Sequence, residues 1–353
     1  MGKIIDLRSD TVTMPTDEMR EAIANAKLGD DVFCEDPTVN QIEELAAKIM
    51  GKEAGLLVPS GTMGNLVSLL SHCARGTEVL LGDKSHTFYY EAGGISAFGG
   101  IHSRQLKNQL DGTINFNDIK SSIRIDNVHF PKTSAISLEN THNLCNGSPI
   151  TVQYIKDVSD IIRANDIKMH IDGARIFNAA AALDVDVKEL ALYADSITFC
   201  LSKGLSAPVG SVVCGNEEFI YHARRNRKAL GGGMRQAGII AAAGIVSLNN
   251  MTSQIQEDHN NAKILMEGIS QIDGLSIDIN NIKSNILYFD IIEKRSKKLL
   301  SQTDGKNSYP FDIILDNIYF LETSPNRFRL VTHYGINAED ISEVLKILPT
   351  MMN

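Results

Sequence analysis

The sequence predicts an α/β fold: a large domain on a mostly parallel sheet with helices on both faces, then a smaller α+β domain. Three observations lead there. Short apolar runs alternate with stretches whose apolar residues recur at helical spacing, the pattern of repeated βα units. Several runs end on polar groups, namely Ser60-Gly61-Thr62, Asp172 and Lys203, at the strand ends where open α/β sheets collect ligands. Past Asn249-Asn250 the pattern changes to a long polar helix, two strands and a last helix. The expected division is an N-terminal arm at 1–20, a large domain at 21–250 and a small C-terminal domain at 251–353.

The elements follow in order. Asp36-Pro37 starts a helix, because Asp accepts from free N–H groups and Pro suits the first turn. Val39, Ile42, Leu45 and Ile49 continue it at helical spacing and Gly51 closes it. Residues 54–58 form an apolar run expected as a buried strand, and the helix bearing Leu66, Leu69 and Leu70 follows Ser60-Gly61-Thr62. Further strands are expected at 78–81, 134–138, 168–171, 196–201 and 211–214, with a helical stripe at Val152, Ile155, Val158 and Ile161. An alanine-rich helix is expected at 234–247, with a break at Asn249-Asn250. Strands near 286–289 and 328–331 belong to the small domain, and the polar stretch 293–310 is expected as a surface loop.

Composition narrows the function. The chain is 43% hydrophobic and 22% charged, ordinary for a globular protein. Its formal charge of −9 is the wrong sign for a phosphate-backbone binder, so nucleic acid is not an expected partner. The basic cluster Arg224, Arg225, Arg227 and Lys228 is a local exception, expected as a solvated helix face. Five cysteines with no C-x-x-C pair argue against a disulfide framework or a zinc ribbon, and no residue is assigned to a metal. The first ten residues carry no apolar signal core, and the longest apolar stretch, 237–246, is about half a membrane span. A cytoplasmic protein with no membrane partner is expected.

Three strand ends carry the chemistry. Ser60-Gly61-Thr62 stands at a helix start, where free N–H groups attract an anion and Gly admits a phosphate; alone it also suits an ordinary N-cap. Asp172 ends an apolar strand and needs a partner there: a metal, a protonated ring nitrogen, or Arg175 in a plain salt bridge. Lys203 also ends an apolar strand. Burial lowers an amine's pKa and favours the neutral form that attacks carbonyls, although a surface lysine fits the same position. Together a phosphate cradle, an Asp for a pyridinium nitrogen and a lysine able to form a Schiff base are the parts that hold pyridoxal phosphate, whose ring then serves as an electron sink.

Seven segments extend the match: DLRSDTVTMPT at 6–16, GDDVFCEDPT at 29–38, VPSGTMGN at 58–65, HIDGARIFNA at 170–179, FCLSKGLSAPVGSVV at 199–213, LGGGMRQAG at 230–238 and RLVTH at 329–333. On these motifs the chain closely resembles the threonine aldolase family, within the β-eliminating lyase group of fold-type I pyridoxal-phosphate enzymes. The resemblance spans nearly the whole chain and is weakest at about 290–327, which looks longer than in typical members.

The resemblance implies a transferase-like fold-type I large domain, a pyridoxal 5'-phosphate cofactor, and cleavage of L-threonine or L-allo-threonine to glycine and acetaldehyde. It implies that Lys203 bonds to the cofactor, that Asp172 meets the ring nitrogen and Arg175 the ring hydroxyl, and that Gly61 and Thr62 cradle the phosphate. His86 matches the ring-stacking histidine, and His129 a second active-site histidine; either, or a water they hold, would be the base. Ser9 and Arg329 match the substrate-carboxylate clamp, while Lys228 and Arg235 match residues reaching the cofactor phosphate of a neighbouring subunit. A homo-oligomer, dimer or tetramer, with active sites at the interface is therefore implied. Phe33 stands where many members have Tyr, so any hydroxyl contact there is lost. The alternatives are another pyridoxal-phosphate enzyme, such as a phenylserine-type aldolase or an aminotransferase, or a non-enzymatic cofactor-binding protein on this fold.

Overall fold

A computed structural model describes residues 3–280, 283–292 and 310–352. Thirteen strands among them form two sheets: β1 (Ile5–Asp6), β2 (Ala54–Val58), β3 (Glu78–Gly82), β4 (His102–Leu106), β5 (Thr133–Glu139), β6 (Lys168–Asp172), β7 (Ser196–Cys200), β8 (Ser211–Gly215), β9 (Leu275–Ile277), β10 (Ile286–Ile291), β11 (Phe311–Leu315), β12 (Ile318–Ser324) and β13 (Arg327–Val331).

The larger sheet runs in the order β2-β8-β7-β6-β5-β3-β4. The pairs β7/β6, β6/β5, β5/β3 and β3/β4 are parallel, and β8 runs against both its neighbours. A mostly parallel sheet is thus what forms. Its central strands are buried, as a sheet covered on both faces requires: every residue of β3, β7 and β8 is buried. The register levels Glu139 with Asp172, and Asp172 with Thr198 of β7, so the polar residues that end β5 and β6 sit side by side.

The helix Pro37–Met50 forms as its sequence directs. The Asp36 side chain accepts from the N–H groups of Thr38 and Val39, and Gly51 closes the helix at φ 63°. The alanine-rich helix begins later than expected, at Gly238 rather than Met234. The Arg235 carbonyl instead accepts the Asp31 N–H at 3.0 Å, which takes it out of helical pairing. Asn249-Asn250 does not break the chain either: a π-helical turn, Ser247–Met251, leads towards the helix Ile255–Ile269.

The second sheet has the order β1-β12-β13-β10-β9, with β11 also on β12. The arm strand β1 runs parallel to β12, and the other pairs are antiparallel. This sheet has a core of its own, with Phe289, Phe320 and Phe328 packed against helix residues such as Leu265 and Val344. Of the expected loop at 293–310, all but Pro310 lies outside the described residues. Among the described residues, no helix is long and apolar enough to cross a membrane.

Candidate active site

A cleft of about 490 Å³ opens between the two sheets. Ser9, His86, Arg175, Lys203 and Arg329 line it, together with Tyr89, Tyr90, Asn143, Leu144, Pro310, Leu321 and Thr323. Five residues singled out from the sequence, far apart along the chain, therefore meet in one space.

Lys203 follows β7, and its backbone carbonyl accepts the Thr13 hydroxyl at 3.0 Å. Among the described residues its amine makes no hydrogen bond or ion pair. Asp172 ends β6 and is buried. Its Oδ2 accepts from Asn65 Nδ2 at 2.9 Å and its Oδ1 from the Ala174 N–H at 3.2 Å. The plain salt bridge between Asp172 and Arg175 does not form. Arg175 turns to Asp10 instead and donates to its two carboxylate oxygens, each at 2.7 Å. Burial pushes the Asp10 carboxyl up, but the Arg175 guanidinium outweighs it and holds the group below the usual carboxylate range. Asp172 is left with no Lys or Arg partner among the described residues, which suits a protonated ring nitrogen.

His86 opens a one-turn helix after Ser85. Its Nδ1 meets Glu91 Oε1 at 2.9 Å. Burial opposes charge on the ring, but Glu91 and then Asp172 prevail, and the net shift of its pKa is upward. Burial likewise pushes the Glu91 carboxyl up, against the pull of His86. The His86 backbone N–H donates to Glu139 Oε2 at 2.7 Å, and the other oxygen of Glu139 accepts the Asn143 N–H at 2.8 Å.

Arg329 lies on β13. Its Nη1 donates to Asn143 Oδ1 at 3.0 Å and its Nη2 to the Arg8 carbonyl at 2.9 Å. Its Nε is buried and has no hydrogen-bond acceptor among the described residues. The Ser9 side chain caps the short turn Asp10–Val12 beside it. Gly61 and Thr62 begin the helix Gly61–His72, capped by Ser60, so their N–H groups lack intrahelical acceptors. A Cβ at Gly61 would come within 2.9 Å of Cys200 Sγ, so a larger residue there would have to displace Cys200.

Gly61, Thr62 and Asp172 are not among the residues that line this cleft, and neither are Arg235, Lys228 and His129. Arg235 is exposed and pairs with Asp30 at 3.0 Å. Lys228 lines a second hollow with Asp31, Val32 and Tyr221. His129 is exposed just before β5, whose amino-terminal end is opposite the end bearing Glu139. The basic cluster is only partly a solvated face: Arg227 is 2% exposed and donates to Leu57 O and Asp31 Oδ2, both at 2.6 Å. Phe33 is exposed.

Sequence reasoning did not single out Asp10, Asn65, Glu91, Glu139 or Asn143. Asp10 and Asn65 stand inside quoted motifs, DLRSD and TMGN, but nothing in the spacing sets them apart there. Glu91, Glu139 and Asn143 carry no spacing that separates them from surface residues.

Comparison with known proteins agrees in extent. The β-eliminating lyase family model matches residues 6–292. Low-specificity L-threonine aldolase 1 of Arabidopsis thaliana is 44% identical over 351 residues, 99% of this chain and 96% of that protein. Low specificity L-threonine aldolase of Escherichia coli K12 is 42% identical over 341 residues, 97% of each. Among solved structures, Leishmania major threonine aldolase superposes with a TM-score of 0.79 at 18% identity and covers 98% of this chain and 99% of that one. That likeness shows the fold.

Proposed function

This chain belongs to the β-eliminating lyase family, among the threonine aldolases, and we propose that it cleaves L-threonine, L-allo-threonine or both to glycine and acetaldehyde with pyridoxal 5'-phosphate. One observation carries this reading: Lys203, whose amine is unbonded among the described residues, and Arg329 line one cleft, beside a buried carboxylate, Asp172, that has no Lys or Arg partner among the described residues. These residues fit the cofactor. Lys203 would bond to it, Asp172 would meet the ring nitrogen, His86 the ring face, Arg175 the ring hydroxyl, and Gly61 and Thr62 the phosphate.

When bound, the cofactor supplies an electron sink for the pair released as Cα–Cβ breaks. The chain does the rest. Arg329 and Ser9 hold the substrate carboxylate, which fixes the orientation of the scissile bond. His86 keeps one ring nitrogen on Glu91 and leaves the other to take the β-hydroxyl proton. The amine of Lys203 is available to return a proton to Cα.

The reading extends to assembly. Arg235, Lys228 and His129 lie outside the cleft of their own chain, so roles at a cofactor or substrate require a second copy. We therefore include a cytoplasmic homo-oligomer, dimer or tetramer, with shared sites, and the division at 1–20, 21–250 and 251–353. A second substrate class has an observation in its favour: Tyr89, Leu144, Pro310 and Leu321 give the cleft an apolar side suited to β-substituents larger than methyl, as in phenylserine.

The test is an assay of purified protein with all four threonine stereoisomers and with phenylserine, reading aldehyde and glycine. Aldehyde with glycine from an L-isomer is expected. A keto acid without aldehyde would identify an aminotransferase and overturn the reading.

A further inference from the structure

A buried chain of polar groups runs from the candidate cofactor site into the larger sheet. Asn65 is 1% exposed, and His170 and Ser196 are fully buried. Asn65 Nδ2 lies 2.9 Å from Asp172 Oδ2 and 2.8 Å from Glu91 Oε1. Its Oδ1 lies 3.0 Å from His170 Nε2. His170 Nδ1 is 2.9 Å from Ser196 Oγ, which is 2.7 Å from His72 Nε2.

Donor and acceptor counting orders every proton in this chain. An amide nitrogen has two hydrogens and a carboxylate only accepts, so the nitrogen of Asn65 must face the two carboxyls. Its oxygen then faces His170 and requires an N–H at Nε2. Neutral imidazole carries one N–H, so His170 Nδ1 must accept, and the Ser196 hydroxyl donates to it. Ser196 Oγ is left to accept from His72 Nε2–H. Burial lowers the pKa of His170 to about 3 and that of His72 to about 4, which keeps both rings neutral.

The amide stands between two carboxyls that would repel each other. Turned over, it would aim its oxygen at both and leave their charges uncompensated, a costly arrangement in a buried site. His170 prevents that rotation by offering a donor to the oxygen.

We propose that Asn65, held by the His72–Ser196–His170 donor chain, is a positioning residue: it gives one amide hydrogen to Asp172 and one to Glu91, aiming the first carboxyl at the cofactor ring nitrogen and the second at His86. The inference rests on the reading of Asp172 as the ring-nitrogen partner; the orientation of the donor chain does not.

Two measurements test it. Ring-nitrogen NMR of the unmodified protein should show His72 and His170 as neutral Nε2–H forms that do not titrate from about pH 6 to pH 8; an Nδ1–H or cationic form of His170 would overturn the donor chain. Pyridoxal-phosphate dissociation constants are then measured by absorbance. Asn65→Asp replaces two donors with a third carboxyl and should weaken binding roughly 10- to 100-fold; it should also lower the melting temperature of the cofactor-free protein, because it adds a buried charge, so two His170 variants provide the control. His170→Phe should weaken binding in the same direction, and His170→Gln, which keeps an N–H for the Asn65 oxygen, should restore it. Asn65→Asp binding within about twofold of the unmodified chain would overturn the proposal. No cofactor binding by the unmodified chain would overturn the cofactor reading, while ring-nitrogen NMR still decides the donor chain.

Discussion

Arg175 is held by Asp10, not by Asp172, its neighbour three residues away. Both guanidinium contacts are 2.7 Å, and both side chains are nearly inaccessible. The bond joins the amino-terminal arm to the end of β6 and leaves Asp172 free for another cation. Asp10→Asn keeps the shape but strands a buried guanidinium. The expected loss is about 3–5 kcal/mol, read as a fall of several degrees in melting temperature with weaker cofactor retention. A melting temperature unchanged within a degree would show that the arm is not anchored through this pair.

Lys203 offers the clearest chemical test. Its amine is unbonded among the described residues, in a cleft with His86 and Arg329. Lys203→Ala should abolish aldehyde production and the borohydride-reducible cofactor linkage while the chain still folds. Mapping the reduced linkage to a different lysine in the unmodified protein would refute the assignment.

Asp258 should give the fold a pH dependence. It is 1% exposed, and its Oδ2 has no hydrogen-bond partner among the described residues. Burial, and then the charges of Asp10 and Glu257, raise its pKa from 3.8 to about 8. The folded state therefore keeps a proton that the unfolded state releases above 3.8. Its contribution favours folding fully below that value and is lost as pH rises towards 8. Asp258→Asn is neutral throughout, so the melting temperature of the variant minus that of the unmodified chain should grow by several degrees from about pH 5 to about pH 8.5. A pH-independent difference would mean that Asp258 is charged in the fold.

Much of this was legible because the information is local. The Asp36-Pro37 start and Gly51 stop are spelled out in adjacent residues, and fully buried strands such as β3 and β7 read as mainly apolar runs. The strand-end residues Asp172 and Lys203 stood out for the same reason, as polar groups terminating apolar runs. What was not legible depends on contacts between distant segments. The helix at Gly238 starts late because the Arg235 carbonyl is taken by Asp31, some 200 residues earlier. Nothing near Asp10 says that it will meet Arg175, and nothing near Asn143 says that it will meet Arg329. β1, β4, β9, β11 and β12 were not expected either: β1 is two residues long, β4 carries polar residues along an edge, and β9 is three residues long.

Assembly can be read by complementation. Arg235 is exposed and outside its own cleft, so a role at the cofactor phosphate places it in another copy's site. Mixed Lys203→Ala and Arg235→Ala subunits should regain activity in hybrids, since one of the shared sites would then carry both intact residues. Verified hybrids without recovery would count against shared sites.

Arg329 is the sharpest test of substrate binding. A guanidinium grips a carboxylate through two parallel charge-assisted hydrogen bonds, which an ammonium cannot copy. In this chain Asn143 and the Arg8 carbonyl hold the two Nη atoms, leaving Nε buried without an acceptor. The planar group is therefore oriented before substrate arrives. Arg329→Lys keeps the charge and loses both the orientation and the second donor, while β13 and the Lys203 site remain as they are. The expected loss is roughly 2–4 kcal/mol in transition-state binding, on the order of 30- to 1000-fold in kcat/KM. The measurement is kcat/KM for the best threonine isomer, with cofactor absorbance confirming that the site is loaded. A change below about threefold in fully loaded protein would place the carboxylate anchor elsewhere.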